Sequence, residues 1–133
     1  MKHQDSQQKF TPEKIAKFYP LLYSQKRFDE WLSLFDERAM IVRVEYGQPV
    51  SCLSIIEAMP EQQAYAAENK IFCEEWHEVE IRKYGNVAVL IANYILTTDH
   101  EIRKGVDVLT LCRDDRAWLI TTLTYEQKEL KKF

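Results

Sequence analysis

The sequence predicts an α+β domain in which N-terminal helices pack on a curved, mostly antiparallel sheet. Apolar residues recur at helical spacing over residues 12–35, and the pattern changes to that of β-strands after residue 70. Short turn sequences then separate long strands of similar length. Helices that precede a run of strands in the chain are expected to cover one face of the sheet.

The N-terminal region predicts two helices. Thr11 and Pro12 form a typical helix start, and Ile15, Phe18, Tyr19, Leu22 and Tyr23 follow at helical spacing. Pro20 lies inside this helix, so we expect a bend there. A second helix is predicted from Phe28 to Phe35, with Trp31 on its apolar stripe.

The middle of the chain predicts a strand and a third helix. Residues 40–46 are rich in β-formers and end at a turn, Gly47-Gln48-Pro49. Ser54 and Glu57 have the spacing of a capping box. We expect the helix that follows to be divided at Pro60, into residues 55–59 and 61–69.

The second half of the chain predicts a four-stranded meander. Its strands are expected at Ile71–Tyr84, Val87–Thr98, Arg103–Arg113 and Trp118–Tyr125. Residues 87–96 and 106–111 are apolar on both faces, which indicates that both faces are covered. The helices can cover one face, and we expect a second copy of the chain to cover the other, giving a homodimer.

Length and charge limit the classes of function. The 133 residues fit one domain, which we place at 11–126 between a tail of residues 1–10 and a charged C-terminal tail of residues 127–133. A net charge of −3 opposes general nucleic-acid binding. No apolar run is long enough to span a membrane, and residues 1–10 lack the apolar segment of a signal peptide. We therefore expect a cytoplasmic protein.

The cysteines and histidines predict neither a disulfide framework nor a metal site. Cys52, Cys73 and Cys112 are odd in number and far apart, so we expect them to be reduced and buried as small apolar residues. The three histidines are also scattered along the chain. We expect no metal and no organic cofactor.

Four segments together resemble the NTF2-like superfamily. The first is FYPLLYSQKRFDEWLSLFDERA at residues 18–39, which is similar to the paired aromatic helices of that group. The others are the hairpin at Tyr84–Val89, the strand start at Gly105–Asp107, and RDDRAWLI at residues 113–120, with Ala117 where the group commonly has Gly. The resemblance extends over residues 12–126.

The resemblance implies a cone-shaped sheet around a pocket for a small hydrophobic molecule. The superfamily includes SnoaL-like polyketide cyclases, ketosteroid isomerases and scytalone dehydratases, so one hypothesis is a cofactor-independent enzyme that uses acid–base chemistry. It also includes β subunits of ring-hydroxylating dioxygenases, which resemble this chain at Leu21-Leu22 and Glu30–Leu34. A non-catalytic subunit and a ligand-binding or assembly module are therefore alternatives, and whether the chain is an enzyme stays open.

Alignment with the ketosteroid isomerases suggests candidate pocket residues. Tyr19 falls at the position of their oxyanion-hole tyrosine, and Asp107 at that of a second, protonated acid. Arg43 stands where those enzymes have the aspartate general base. An arginine cannot abstract a proton, so efficient steroid isomerisation is not expected. Arg43 could instead bind an anionic ligand, or point outward and pair with an acid.

Further candidates come from the long strands and the helices. His77 is an acid–base candidate, and Asn93 is a candidate pocket group because it lies mid-strand in an apolar segment. We also expect Tyr23 and Trp31 to line the pocket. Glu78 and Glu80 alternate with Trp76 and are interpreted as solvated charges, and Trp118 is interpreted as a packing residue.

Overall fold

The computed structural model describes residues 10–115 and 117–133. The described residues form three helices, α1 (Pro12–Ser24), α2 (Phe28–Leu32) and α3 (Ile55–Ala67). The strands are β1 (Phe35–Glu45), β2 (Ser51–Ser54), β3 (Phe72–Tyr84), β4 (Val87–Thr98), β5 (Glu101–Arg113) and β6 (Trp118–Lys132). Among the described helices, none is long and apolar enough to cross a membrane.

The strands form one six-stranded sheet in the order β2-β1-β6-β5-β4-β3. All neighbouring pairs are antiparallel except β1 and β6, which are parallel. The predicted α+β class, with helices on a curved and mostly antiparallel sheet, is confirmed. β2 was not predicted, because its four residues follow a turn and carry little apolar pattern of their own.

The start of α1 forms as predicted. The side chain of Thr11 accepts a hydrogen bond from the backbone N–H of Lys14 at 3.2 Å, and Pro12 occupies the first helical position. Pro20 lies within the helix and does not end it.

The prediction of a second helix from Phe28 to Phe35 is wrong at its C-terminal end. α2 ends at Leu32, and Phe35 already belongs to β1. The backbone N–H of Ile120 donates to the carbonyl of Leu34, which joins this segment to β6. An apolar stripe does not distinguish a last helical turn from a strand that pairs with a distant part of the chain, so tertiary pairing decides the boundary.

α3 has the predicted capping box but is not divided. The Ser54 side chain accepts from the Glu57 N–H at 3.0 Å, and the Glu57 carboxylate accepts from the Ser54 N–H at 3.0 Å. The helix continues through Pro60. The proline removes one helical hydrogen bond, to the carbonyl of Ile56, and both residues are exposed, so water can satisfy this carbonyl.

β6 is longer than predicted. Instead of ending at Tyr125, it continues to Lys132, which lies opposite Glu101 on β5. The charged residues near the C-terminus were expected to form a tail. They are mostly exposed, but they extend the sheet because backbone pairing with β5 is available to them.

The sheet buries one face under the helices. On β4 the buried side chains alternate with half-buried ones, so Ala88, Leu90 and Ala92 face the core while Val89 and Ile91 face outward. The core lies between the inner face and the helices, and its largest fully buried side chain is Trp31. The inner and outer faces of the sheet are therefore distinct, and only the inner one meets the helices.

Candidate functional site

A cavity of about 360 Å³ lies between the inner face of the sheet and helices α1 and α3. Residues from five strands, β1 and β3 to β6, and from the three described helices line it. The lining includes two carboxyl groups that contact each other, aromatic walls, and two arginines. The cavity therefore combines acidic, aromatic and basic side chains.

The carboxyl groups belong to Glu74 on β3 and Asp107 on β5. The two side chains are hydrogen-bonded to each other. The indole N–H of Trp76 donates to both of them, at 3.1 Å to Glu74 Oε2 and 2.8 Å to Asp107 Oδ2. β4 lies between β3 and β5, so the inward-facing side chains of these two strands meet across the intervening strand.

Burial raises the pKa of both acids. The pKa of Glu74 lies well above its usual value, because burial and the neighbouring Asp107 both oppose its ionisation. Burial raises the pKa of Asp107 to about 6, and its hydrogen bonds with Glu74 and Trp76 limit that rise. The hydrogen bond between them raises the pKa of Glu74 and lowers that of Asp107, so Asp107 is the acid that ionises first and Glu74 is the one that holds the proton of the pair.

The walls of the cavity are aromatic. Tyr19 stacks on Trp76 with ring centroids 4.5 Å apart, and Tyr23 donates to Gln62 Oε1 of α3 at 2.5 Å. Burial, followed by the charges of Asp107 and Glu74, raises the pKa of the Tyr19 phenol, which stays protonated and can donate a hydrogen bond. Trp31 packs against both tyrosines, and its indole Nε1 is buried without a partner among the described residues.

A glycine makes room for another phenol in the cavity. Gly105 lies opposite Tyr94 in the pairing of β4 and β5. A Cβ at Gly105 would lie 2.8 Å from the Tyr94 ring and hydroxyl, and 1.8 Å from the carbonyl oxygen of Glu126. Tyr94 meets Tyr125 edge-on with centroids 6.3 Å apart, and both rings line the cavity. Gly105 is therefore needed for this close approach of side chain and backbone.

Arg43 and Arg103 also line the cavity, and Arg43 lies across β6 from Asp107, since both residues pair with Tyr125. Arg43 Nη2 lies 2.8 Å from Glu61 Oε2 of α3, and its Nη1 lies 3.4 Å from Glu61 Oε1. Arg103 is bound more fully, since Glu101 lies 2.5 Å from its Nε and Glu45 lies 3.7 Å from its Nη1. The Nε atom of Arg43 is buried and has no partner among the described residues.

Comparison with known proteins identifies the fold. No family model and no curated protein matches this sequence. Solved structures do match. A scytalone dehydratase-like protein of Novosphingobium aromaticivorans is 11% identical, with a TM-score of 0.75 over 91% of this chain and 84% of that one. An NTF2-like protein of unknown function from Shewanella baltica is 13% identical, with a TM-score of 0.66 over 87% of this chain and 90% of that one.

This chain has the NTF2-like fold. A second protein of N. aromaticivorans, described as the β subunit of an aromatic-ring-hydroxylating dioxygenase, is 14% identical, with a TM-score of 0.69 over 90% of this chain and 88% of that one. The resemblance found in the sequence is confirmed at the level of the fold. Identities this low establish the NTF2-like fold and carry no activity with them.

The NTF2-like fold brings five of the seven predicted site residues to one cavity: Tyr19, Tyr23, Trp31, Arg43 and Asp107. Arg43 faces the cavity and pairs with an acid as well, so the two alternatives for this residue are combined. His77 and Asn93 lie on the outer side of the sheet. His77 contacts Glu75 at 3.1 Å, and Asn93 donates to Glu78 at 2.7 Å.

Two findings differ from what the sequence suggested, one within the site and one at the cysteines. Glu74 was not among the candidates, although it lies two residues from Trp76 on the same strand and therefore shares its face. The expectation that the cysteines are buried is wrong, since Cys52 and Cys73 are exposed and Cys112 is half-buried. Within residues 10–115 and 117–133, no group of three side chains could hold a metal ion.

Proposed function

We propose that this chain is a cofactor-independent enzyme that moves a proton on a small hydrophobic molecule held in the cavity. The observation that supports this most strongly is the pair formed by the half-buried Glu74 and the buried Asp107 in an aromatic cavity. Two carboxyl groups that share a proton away from water are a common arrangement for acid–base catalysis. An isomerase, dehydratase or cyclase reaction would each use such a step.

Asp107 is the proposed base. Its carboxylate is held by the Glu74 hydroxyl and the Trp76 N–H, which orient it while leaving further lone pairs for a substrate proton. This supplies the proton acceptor that the ketosteroid isomerase alignment did not provide, because Arg43 stands at that position. The role differs from the neutral acid first expected for Asp107, since Glu74 is the member of the pair that keeps its proton.

Tyr19 is the proposed donor to the oxygen on which negative charge develops. Its ring lies against Trp76, beside the carboxyl pair, and its raised pKa keeps the phenol protonated. A donor fixed in a cavity with little water stabilises such charge more strongly than water does. His77 and Asn93 have no part in this proposal, because they lie outside the cavity.

The experiment uses hydrogen–deuterium exchange at carbon, which requires proton abstraction and no knowledge of the natural substrate. Simple cyclic ketones and aryl alkyl ketones in D₂O serve as probes, because their weakly acidic C–H groups exchange slowly without a base, and exchange is followed by proton NMR. Asp107→Asn should lower the protein-dependent exchange rate by about 10²–10⁴-fold, which is the usual contribution of a general base. The wild-type rate should fall as the pH drops through about 6, where Asp107 becomes protonated.

Glu80→Gln is the matched control, because Glu80 is exposed and faces outward on β3, the strand that carries Glu74. It should exchange the probes at the wild-type rate. Equal rates for wild type and Asp107→Asn would refute the assignment of Asp107, as would a wild-type protein that accelerates exchange of none of the probes.

A non-catalytic subunit is the second candidate. Its support is the similarity to the dioxygenase β-subunit protein over most of both chains. A chain with this role would bind an oxygenase α subunit, whereas the enzyme would act alone or as the homodimer that we also propose. Size-exclusion chromatography of the chain co-expressed with an α subunit encoded beside it would distinguish the two, since only a subunit should co-elute with that partner.

A further inference from the structure

We infer that the cavity selects ligands bearing a carboxylate, that Arg43 binds this group, and that Glu61 occupies its place when the ligand is absent. The inference deepens the proposed function by assigning a substrate class, hydrophobic carboxylic acids, to the same cavity. It stands on the contacts of Arg43 and Glu61 at the cavity.

The groups without partners indicate the chemistry of the ligand. Among the described residues, two buried side-chain polar atoms lack a hydrogen-bond partner, Arg43 Nε and Trp31 Nε1. Both residues line the cavity, and both atoms are donors. A buried donor without an acceptor is costly, so a ligand that fits this cavity should bring acceptor oxygens. The permanent positive charge of Arg43 favours an anion over a neutral acceptor.

Glu61 shows which anion fits. Its two carboxylate oxygens face the two terminal nitrogens of Arg43 side by side, at 2.8 and 3.4 Å. The site therefore accommodates a planar group with two oxygens, in the geometry that arginine and carboxylate prefer. A phosphate dianion would bring more negative charge next to Glu45 and Glu61, which also line the cavity.

The Arg43–Glu61 pair is asymmetric, and this allows exchange. The Arg43 side chain is 14% exposed, whereas the Glu61 side chain is 63% exposed. Glu61 can therefore turn into water at little cost, while Arg43 stays in the cavity and takes a new partner. Arg103 is less available, because Glu101 and Glu45 both contact its guanidinium.

In this arrangement Arg43 binds the ligand and Asp107 reacts with it. A carboxylate on Arg43 fixes one end of the ligand, the aromatic walls hold its apolar body, and its reacting carbon lies toward Asp107. Glu61 acts as an internal competitor for Arg43. Removal of Glu61 should therefore strengthen ligand binding, which is the reverse of what is expected for a residue that contacts the ligand.

The test is calorimetric titration with benzoate, trans-cinnamate and 2-naphthoate, each compared with its neutral primary amide. Wild type should bind at least one acid more tightly than its amide by about 10-fold or more, as is typical of hydrogen bonds to a charged group. Glu61→Gln should raise the affinity for the acid about 3–10-fold and leave that for the amide unchanged. Arg43→Gln should abolish the preference for the acid.

Two controls test whether a preference for the acid comes from binding at Arg43. Glu68→Gln removes the same charge from the C-terminal end of α3, outside the cavity lining, and should bind like wild type. The second control is the assay itself, since titration measures binding without turnover, so failure of the proposed chemistry and failure of the binding assignment give different results. Equal affinities for acid and amide, binding of none of the acids, or weaker acid binding by Glu61→Gln would each overturn the assignment.

Discussion

Raising the pH from 5 to 8 should destabilise this domain, because folding raises the pKa values of two of its acids, Glu74 and Asp107. An acid whose pKa is raised by folding stabilises the folded state least when it is fully ionised. Between its unfolded and folded pKa values, the folded chain keeps a proton that the unfolded chain has released, so stability falls as the pH rises through that interval. For Asp107 the interval runs from 3.8 to about 6.

The magnitude follows from the pKa of Asp107. At pH 5, one pH unit below the folded pKa, folded Asp107 is mostly protonated while unfolded Asp107 is ionised. One pKa unit corresponds to about 1.4 kcal/mol, so Asp107 alone should remove about 1.4 kcal/mol of unfolding free energy between pH 5 and pH 8. Glu74 adds to this loss in the same direction, because its pKa is also raised.

Carboxylates whose pKa values are lowered by folding do not contribute to the loss of stability between pH 5 and pH 8. The pKa values of Glu13, Asp36 and Glu57 are lowered by hydrogen bonds to Lys83, Arg38 and the Ser54 backbone, respectively. Their stabilising effect is lost only as the pH falls through their folded pKa values, which lie below about 4.5. A decline in stability between pH 5 and pH 8 is therefore expected to come mainly from Glu74 and Asp107.

The assay is urea unfolding at pH 5, 6, 7 and 8, for wild type and for the Glu74→Gln/Asp107→Asn double variant. Wild type should lose at least about 1.4 kcal/mol across this range, and the double variant should lose much less. Glu80→Gln should behave like wild type. A flat wild-type profile would refute the reasoning, and so would an equal decline in the double variant, because the titrating groups would then lie elsewhere.

Three further predictions concern stability and assembly. Trp31→Ala should cost about 3–5 kcal/mol in urea melts, because its buried ring contacts four others, and a loss below about 1 kcal/mol would contradict this. Gly105→Ala should cost about 3 kcal/mol and disturb the near-ultraviolet dichroism of Tyr94, whereas a wild-type melt and spectrum would show that the close contact is relieved easily. Light scattering at micromolar concentration should report a homodimer that Val108→Lys, a charge on the outer face of β5, dissociates, whereas a 15.8 kDa monomer for wild type would contradict the proposed dimer.

Much of the architecture could be predicted because local pattern and local chemistry agree. The capping box of α3, the start of α1 and the bounds of β4 all depend on residues close together in the chain. The errors occur where distant partners decide. α2 ends early because the next residues pair with β6, and β6 runs on to Lys132 because β5 offers backbone partners.

The sequence and the tertiary structure therefore determine different properties of this protein. The sequence by itself determined the α+β class, the order of helices and long strands, and the aromatic character of the helices, because these depend on periodicity and on turn residues. Through resemblance to other sequences of this fold, it also predicted Tyr19, Arg43 and Asp107 as candidate pocket residues.

Only the tertiary structure decided which polar groups meet. Alternation along a strand shows which residues share a face, but it does not show which face is turned inward. Trp76 and Asp107 are 31 positions apart, and the register of β3, β4 and β5 brings them within 2.8 Å. The same register turns His77 outward and makes Glu74 part of the pair with Asp107. The ionisation of that pair depends on burial, which is a property of the folded chain and of no single residue.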